Sequence, residues 1–117
     1  MTSVLNVDTI ADKAGTGPVA LTKQHPAKVW AFTTDNVITD SFNTSSSTDN
    51  ETGHYTITLT SAMDDANFAV LATVNENNNF ILGNRERAAG SYGIRIKNTS
   101  GTGQDANTGS VAHGDLA

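Results

Sequence analysis

The 117-residue sequence contains no cysteine. Without thiols the chain has no disulfide framework, no thiolate metal ligand and no cysteine nucleophile. Its stability therefore has to come from packing and hydrogen bonding, and the redox compartment stays open.

Basic residues are also scarce. Seven lysines and arginines stand against twelve aspartates and glutamates, which gives a formal net charge of -5 and a pI near 4.8. A nucleic-acid partner normally requires a basic face that displaces counterions, so we expect none. No apolar run approaches the roughly 20 residues of a membrane span. Asp8 and Asp12 interrupt the N-terminal apolar residues, which argues against a secretory signal, and we expect no membrane insertion.

Material for a hydrophobic core is limited. Aromatic residues make up 6% of the sequence and apolar residues 37%, whereas there are 17 threonines, 12 asparagines and 9 serines. Ordering one residue costs roughly 1.5 kcal/mol, against about 25 cal/mol gained for each Å² of apolar surface buried. Because a thin core leaves little surplus, we expect copies of the chain to associate.

The longest regular pattern lies in residues 37–74 and predicts three strands joined by two turns. Tyr55, Ile57 and Leu59 alternate with threonines, which is typical of a half-buried strand over residues 54–60. Residues 37–42 and 68–74 are the neighbouring strands. A turn over residues 64–67 predicts that the last strand returns antiparallel to residues 54–60.

The rest of the chain continues in the same style. Short strands are predicted at residues 28–33, 80–83, 92–97 and 109–113, with turn signals about every 8–12 residues and no helical periodicity. The predicted fold is all-β: a small antiparallel β-sandwich over residues 27–117, preceded by an N-terminal extended β arm over residues 1–26. The single tryptophan, Trp30, is expected in the core.

No group of residues in the sequence predicts catalysis or metal binding. The three histidines are scattered without the spacing of a zinc motif, and Asp64 and Asp65 fit a turn better than a calcium loop. The acidic residues fall mostly in turns. We therefore predict a protein that is not an enzyme, with no catalytic residues, no cofactor and no metal site.

Five segments resemble a known family. Residues 40–57 are DSFNTSSSTDNETGHYTI and residues 60–70 are TSAMDDANFAV, preceded by KVWAF at residues 28–32, LNVDTIA at residues 5–11 and PVAL at residues 18–21. In this order and spacing they resemble a module of bacteriophage tail fibres and related virion proteins. The resemblance covers roughly residues 4–74.

The resemblance implies a structural protein on the exterior of a phage particle. It would be a short tail-fibre-type component, homotrimeric, with other virion proteins of the tail or capsid as partners. One alternative is a capsid cement or decoration protein that stabilises the head, and another is a stand-alone carbohydrate-binding module. Short apolar strands can add to an exposed sheet edge or join copies, so attachment and oligomerisation are assigned to the apolar residues of the arm. These are Val4, Leu5, Val7, Ile10, Val19 and Leu21.

The loops that follow residue 74 offer residue types that bond sugar hydroxyls and stack on sugar rings. They predict possible contact with a host surface glycan, with simply solvated loops as the alternative. The candidate surface-recognition residues are Asn78, Arg85, Arg87, Tyr92, Gln104 and Asp105.

Overall fold

The computed structural model describes Ser3 and residues 26–117. The predicted arm therefore lies outside the described residues except at Ser3 and Pro26. The described part contains eight strands and no helix long and apolar enough to cross a membrane. The strands are β1 (Val29–Thr34), β2 (Val37–Phe42), β3 (Thr44–Glu51), β4 (His54–Leu59), β5 (Ala69–Val74), β6 (Phe80–Ala88), β7 (Ser91–Asn98) and β8 (Thr108–His113).

The strands form two four-stranded antiparallel sheets packed face to face, which confirms the predicted all-β sandwich. Sheet A has the order β2-β1-β8-β5 and sheet B the order β3-β4-β7-β6. Asp35 and Asn36 both have positive φ, so β1 and β2 are joined by a tight two-residue turn of the kind that fits strand twist. Gly53 also has positive φ, and its amide donates to Asp105 Oδ1 at 2.7 Å, which fixes the β3–β4 turn to the loop before β8.

The core lies between the two inner faces. Sheet B contributes the alternating apolar residues of β4 and β7, and sheet A contributes smaller side chains. The buried core residues are Val29, Ala31, Tyr55, Ile57, Leu59, Met63, Phe68, Tyr92, Ile94, Ile96, Ala106 and Ala112. The apolar face predicted for residues 54–60 is therefore confirmed as a core face, and the apolar face of β7 is buried with it.

The predicted pairing of residues 54–60 with residues 68–74 is wrong. β4 pairs with β3 and β7, whereas β5 pairs with β8 in the other sheet. The chain crosses between the sheets after β4, and Met63 and Phe68 bury their side chains on the way. The stretch over residues 37–74 also holds four strands instead of three, because β3 forms from a serine- and threonine-rich segment that resembles a turn in composition.

Trp30 is not in the core. It is 39% exposed on the outer face of sheet A, while Val29, Ala31 and Thr33 point inward and are buried. Strand periodicity defines two faces without saying which is buried. Here the small side chains face inward because the tyrosines of sheet B fill the space between the sheets.

Those two tyrosines bridge the sheets through their hydroxyls. The Tyr55 hydroxyl bonds to the Thr108 hydroxyl and accepts a hydrogen bond from Thr33 Oγ1 at 3.2 Å. The Tyr92 hydroxyl lies 2.9 Å from Ser110 Oγ. Burial raises the pKa of both phenols, that of Tyr92 to about 12, because the phenolate would lose its hydration.

The raised pKa of Tyr92 predicts a loss of stability at alkaline pH. The neutral phenol is favoured in the folded state, so its contribution is complete below the unfolded pKa of about 10 and disappears as the pH rises towards 12. Over that window we expect the free energy of unfolding to fall by about 2–3 kcal/mol more in the wild type than in Tyr92→Phe. Urea unfolding at stepped pH measures this.

Tyr55→Phe is the comparison variant: the pKa of Tyr55 is raised by burial as well, so this variant removes its separate part of the alkaline loss and leaves Tyr92 in place. An equally steep fall in Tyr92→Phe and the wild type would show that Tyr92 does not titrate with folding.

Candidate interaction surface

A row of apolar side chains crosses the outer face of sheet A. In the strand register Trp30 is opposite Phe42 on one side and Val111 on the other, and Val111 is opposite Leu71. We call Phe42, Trp30, Val111 and Leu71 the apolar row. Phe42 is 57% exposed and Leu71 60%. The row runs through all four strands, so it is a continuous surface and not one stray side chain.

A shallow groove of about 480 Å³ lies along this row. In the neighbouring register line Phe32 is opposite Gly109, which is opposite Thr73. Because Gly109 has no side chain, a depression remains between Phe32 and Thr73. The groove is lined by Trp30, Ala31, Phe32, Leu71, Thr73, Gly109, Ser110 and Val111.

A second hollow, of about 410 Å³, lies beside the point where the described chain begins. Pro26, Ala27 and Leu116 are among its apolar lining residues, and Phe42 belongs both to this hollow and to the apolar row. Phe42 therefore joins the apolar row to this second hollow, whose lining is half apolar and half polar. A face of this kind is typical of an interaction site.

The outer face of sheet B is different, because it carries a cluster of charged groups. Glu51 on β3 pairs with Arg95 on β7, and its carboxylate is also 3.8 Å from Arg85 on β6. Arg85 Nε lies 3.2 Å from Glu86 Oε1. The Arg95 guanidinium lowers the pKa of Glu51 by hydrogen bonding and by its charge.

His54 sits inside this ionic cluster and is only 5% exposed. Its Nδ1 is 3.8 Å from Glu51 and its Nε2 is 3.7 Å from Glu86. The imidazole covers Gly93, where an added Cβ would lie 3.4 Å from His54 Nε2. No group of three or more histidine, aspartate or glutamate side chains suited to a metal ion occurs in the described part of the chain.

The expectation that Tyr92 takes part in surface recognition is wrong. Its side chain is fully buried, its ring packs edge-on against Phe68 at 6.5 Å, and its hydroxyl is used by Ser110. The same alternation that predicts Ile94 and Ile96 inward places Tyr92 with them.

The other predicted recognition residues do not converge on one site. Asp105 accepts hydrogen bonds from Asn36 Nδ2 at 2.9 Å and from the Gly53 amide, so it fastens two turns. Gln104 donates to the Gly103 carbonyl. Asn78 is exposed in the β5–β6 connection.

The two arginines lie on β6. Arg85 belongs to the ionic cluster, and Arg87 donates to the Phe68 carbonyl at 3.0 Å. Both therefore have internal partners that compete with a ligand.

The apolar row escaped prediction because its members come from four separate strands. The alternation in residues 28–33 places Trp30 and Phe32 together on one face of the strand. This was the only signal in the sequence for part of the row. The predicted attachment residues of the arm lie outside the described residues, so they stay a prediction.

The fold and its surfaces define an antiparallel β-sandwich with one ionic and one apolar outer face. The family models, the curated proteins and the solved structures contain no match to this chain.

The ionic cluster yields a measurable titration. Arg95 holds the pKa of Glu51 below its usual range. The variant Arg95→Gln should therefore raise the pKa of Glu51 towards the ordinary carboxyl value. The contribution of Glu51 to folding is present above the ordinary carboxyl pKa and is lost as the pH falls. Carboxyl ¹³C NMR shifts measured against pH report the change.

Lys97→Gln is the control, since it removes one positive charge from the same strand outside the cluster. If Lys97→Gln moved the Glu51 titration as far as Arg95→Gln, the specific pairing would be refuted.

Proposed function

We propose that this chain is a structural protein of a bacteriophage particle, a trimeric tail-fibre-type component on the exterior of the virion that is joined to it through the N-terminal arm. The apolar row of sheet A carries the proposal. Keeping apolar surface in water costs about 25 cal/mol of free energy for each Å², compared with burying it. An apolar row that crosses four strands therefore favours a permanent partner. The resemblance of residues 4–74 to tail-fibre and related virion proteins is the reason for proposing a bacteriophage particle.

The positions of the family-like residues support a recurrent scaffold. Asn43 has positive φ at the crossing from sheet A to sheet B, and its Nδ2 donates to the carbonyls of Lys28 and Ser61. The Ser61 amide donates back to Asn43 Oδ1 at 2.7 Å. Asp65 accepts from the Asn67 amide in the following turn. Contacts of this kind hold the fold in place, and the family-like segments at residues 28–32 and 40–57 also contribute two members of the apolar row.

A capsid decoration protein is the second candidate within the virion. The apolar row would then be covered by shell subunits instead of sister copies. Both candidate functions use the same face, so the location of the protein on the tail or on the head distinguishes them.

A carbohydrate-binding module is the candidate from another class, and one observation favours it. Trp30 and Phe42 are exposed neighbours on a sheet face, and exposed aromatic rings can stack on sugars. Asp40, opposite Phe32 on the same face, offers a carboxylate for a hydroxyl.

Labelling intact phage particles tests the main proposal. An antibody raised against the full chain, visualised by gold in electron micrographs, should decorate the tail. Decoration of the head would favour the cement protein, and particles free of label would refute a virion role. Binding of the purified chain on a glycan array, abolished by Trp30→Ala, would favour the carbohydrate-binding module.

Self-association should depend on the apolar row. We expect native mass spectrometry at micromolar concentration to show a trimer, and Leu71→Lys to weaken association roughly tenfold to a hundredfold, because burying a leucine contributes about 1.5–3 kcal/mol. Thr48→Lys, on the exposed outer strand of sheet B, adds the same charge away from the row and should leave the trimer intact. A wild-type monomer under these conditions would contradict the trimer.

A further inference from the structure

Four of the described strands lie at sheet edges: β2 and β5 in sheet A, and β3 and β6 in sheet B. An edge strand presents unpaired backbone groups, and proteins protect such edges with bulges, charges or prolines. How each edge is protected therefore indicates where another strand is able to add.

Three of the edges carry such protection. The β1–β2 register shifts after Phe32, and Asp40 lies in β2. β3 has two register shifts and ends in acidic residues, and β6 shifts between Arg85 and Arg87 in a highly charged stretch. Bulges of this type twist an edge away from further pairing.

The edge of β5 differs from these three. β5 pairs with β8 in unbroken register from Ala69 to Val74, and its sequence AVLATV contains no charge, proline or glycine. Arg87 of β6 reaches the carbonyl of Phe68, one residue before β5 begins. Leu71, at the centre of β5, is 60% exposed and ends the apolar row.

The chain itself supplies a segment suited to this edge. Residues 4–10, VLNVDTI, place Leu5 and Val7 on one face of an extended strand, and Asp8 on the other between Val4 and Ile10 at its ends. Residues 11–25 connect them to Pro26, which lines the hollow beside Phe42. Fifteen extended residues span up to about 50 Å, enough to reach a neighbouring sandwich.

We propose that residues 4–10 of one copy add as a fifth strand to the β5 edge of the next copy. Backbone hydrogen bonds provide the pairing, and Leu5 and Val7 pack beside Leu71 on the outer face. Asp8 then faces the side of β6, whose Arg87 already reaches the Phe68 carbonyl beside β5.

The inference rests on the proposed trimer, because a strand passed from each copy to the next is a head-to-tail contact. Such a contact joins two different surfaces and closes into a ring when the rotation permits. It also combines the arm and the apolar row in one interface.

Because the chain lacks cysteine, single cysteines report this contact directly. Full-length Val7→Cys and Thr73→Cys are mixed, refolded together from denaturant and treated with a short bismaleimide. Thr73 is exposed on β5. We expect a covalent pair containing one chain of each variant. Val7→Cys mixed with Thr48→Cys, whose cysteine lies on the bulged edge of β3, is the control and should give at most a tenth of that product.

The other outcomes are distinct. Equal cross-linking to Thr48→Cys would refute β5 as the specific acceptor. If mixed single variants give no pair while a chain carrying both Val7→Cys and Thr73→Cys links within itself at high dilution, the arm folds back on its own sandwich and exchange is refuted. A trimer by native mass spectrometry without any Val7–Thr73 link overturns strand exchange and leaves the proposed function standing. A monomer overturns the trimer itself.

Discussion

The architecture depends on two tyrosines of sheet B that occupy the space between the sheets. Tyr55 and Tyr92 are fully buried, and their hydroxyls reach Thr33, Thr108 and Ser110 on sheet A. A buried phenol needs a hydrogen-bond partner, since an unsatisfied hydroxyl costs roughly 1–3 kcal/mol. Sheet A therefore has to present hydroxyl groups and small side chains on its inner face. Large apolar residues of the same strands are left on the outside, so the apolar row is a consequence of how the core is filled.

This dependence explains what the sequence could and could not predict. β4 and β7 were predictable because each alternates apolar and polar residues, and the apolar face of each is buried. The orientation of β1 was not, because both of its faces carry apolar residues and the choice depends on the tyrosines of other strands. Tyr92 was wrongly expected at the surface although the alternation of β7 places it on the buried face with Ile94 and Ile96.

Pairing was harder to predict than strand position. Consecutive strands often pair, which favoured a hairpin between residues 54–60 and 68–74. The buried Met63 and Phe68 instead carry the chain across to sheet A, and nothing local in the turn over residues 64–67 signals that crossing. β3 was missed because its serines and threonines are as common in turns as in exposed edge strands. The ionic cluster was equally hidden, since Glu51, His54 and Arg95 are assembled by strand register alone.

The two outer faces of the sandwich differ in chemistry and in the regularity of their edges. Sheet B combines charged groups with bulged edges, which suits a face that stays in water, whereas sheet A combines an apolar row with the regular edge of β5. This asymmetry supports the proposal of a component that is bound on one side and exposed on the other. Among the residues that resemble the phage module, Asn43 and Asp65 are engaged in turns and crossings, whereas Trp30 and Phe42 belong to the apolar row. The resembling segments therefore contribute both to the scaffold and to the surface on which binding is proposed, because successive residues of one strand face the core and the solvent in turn.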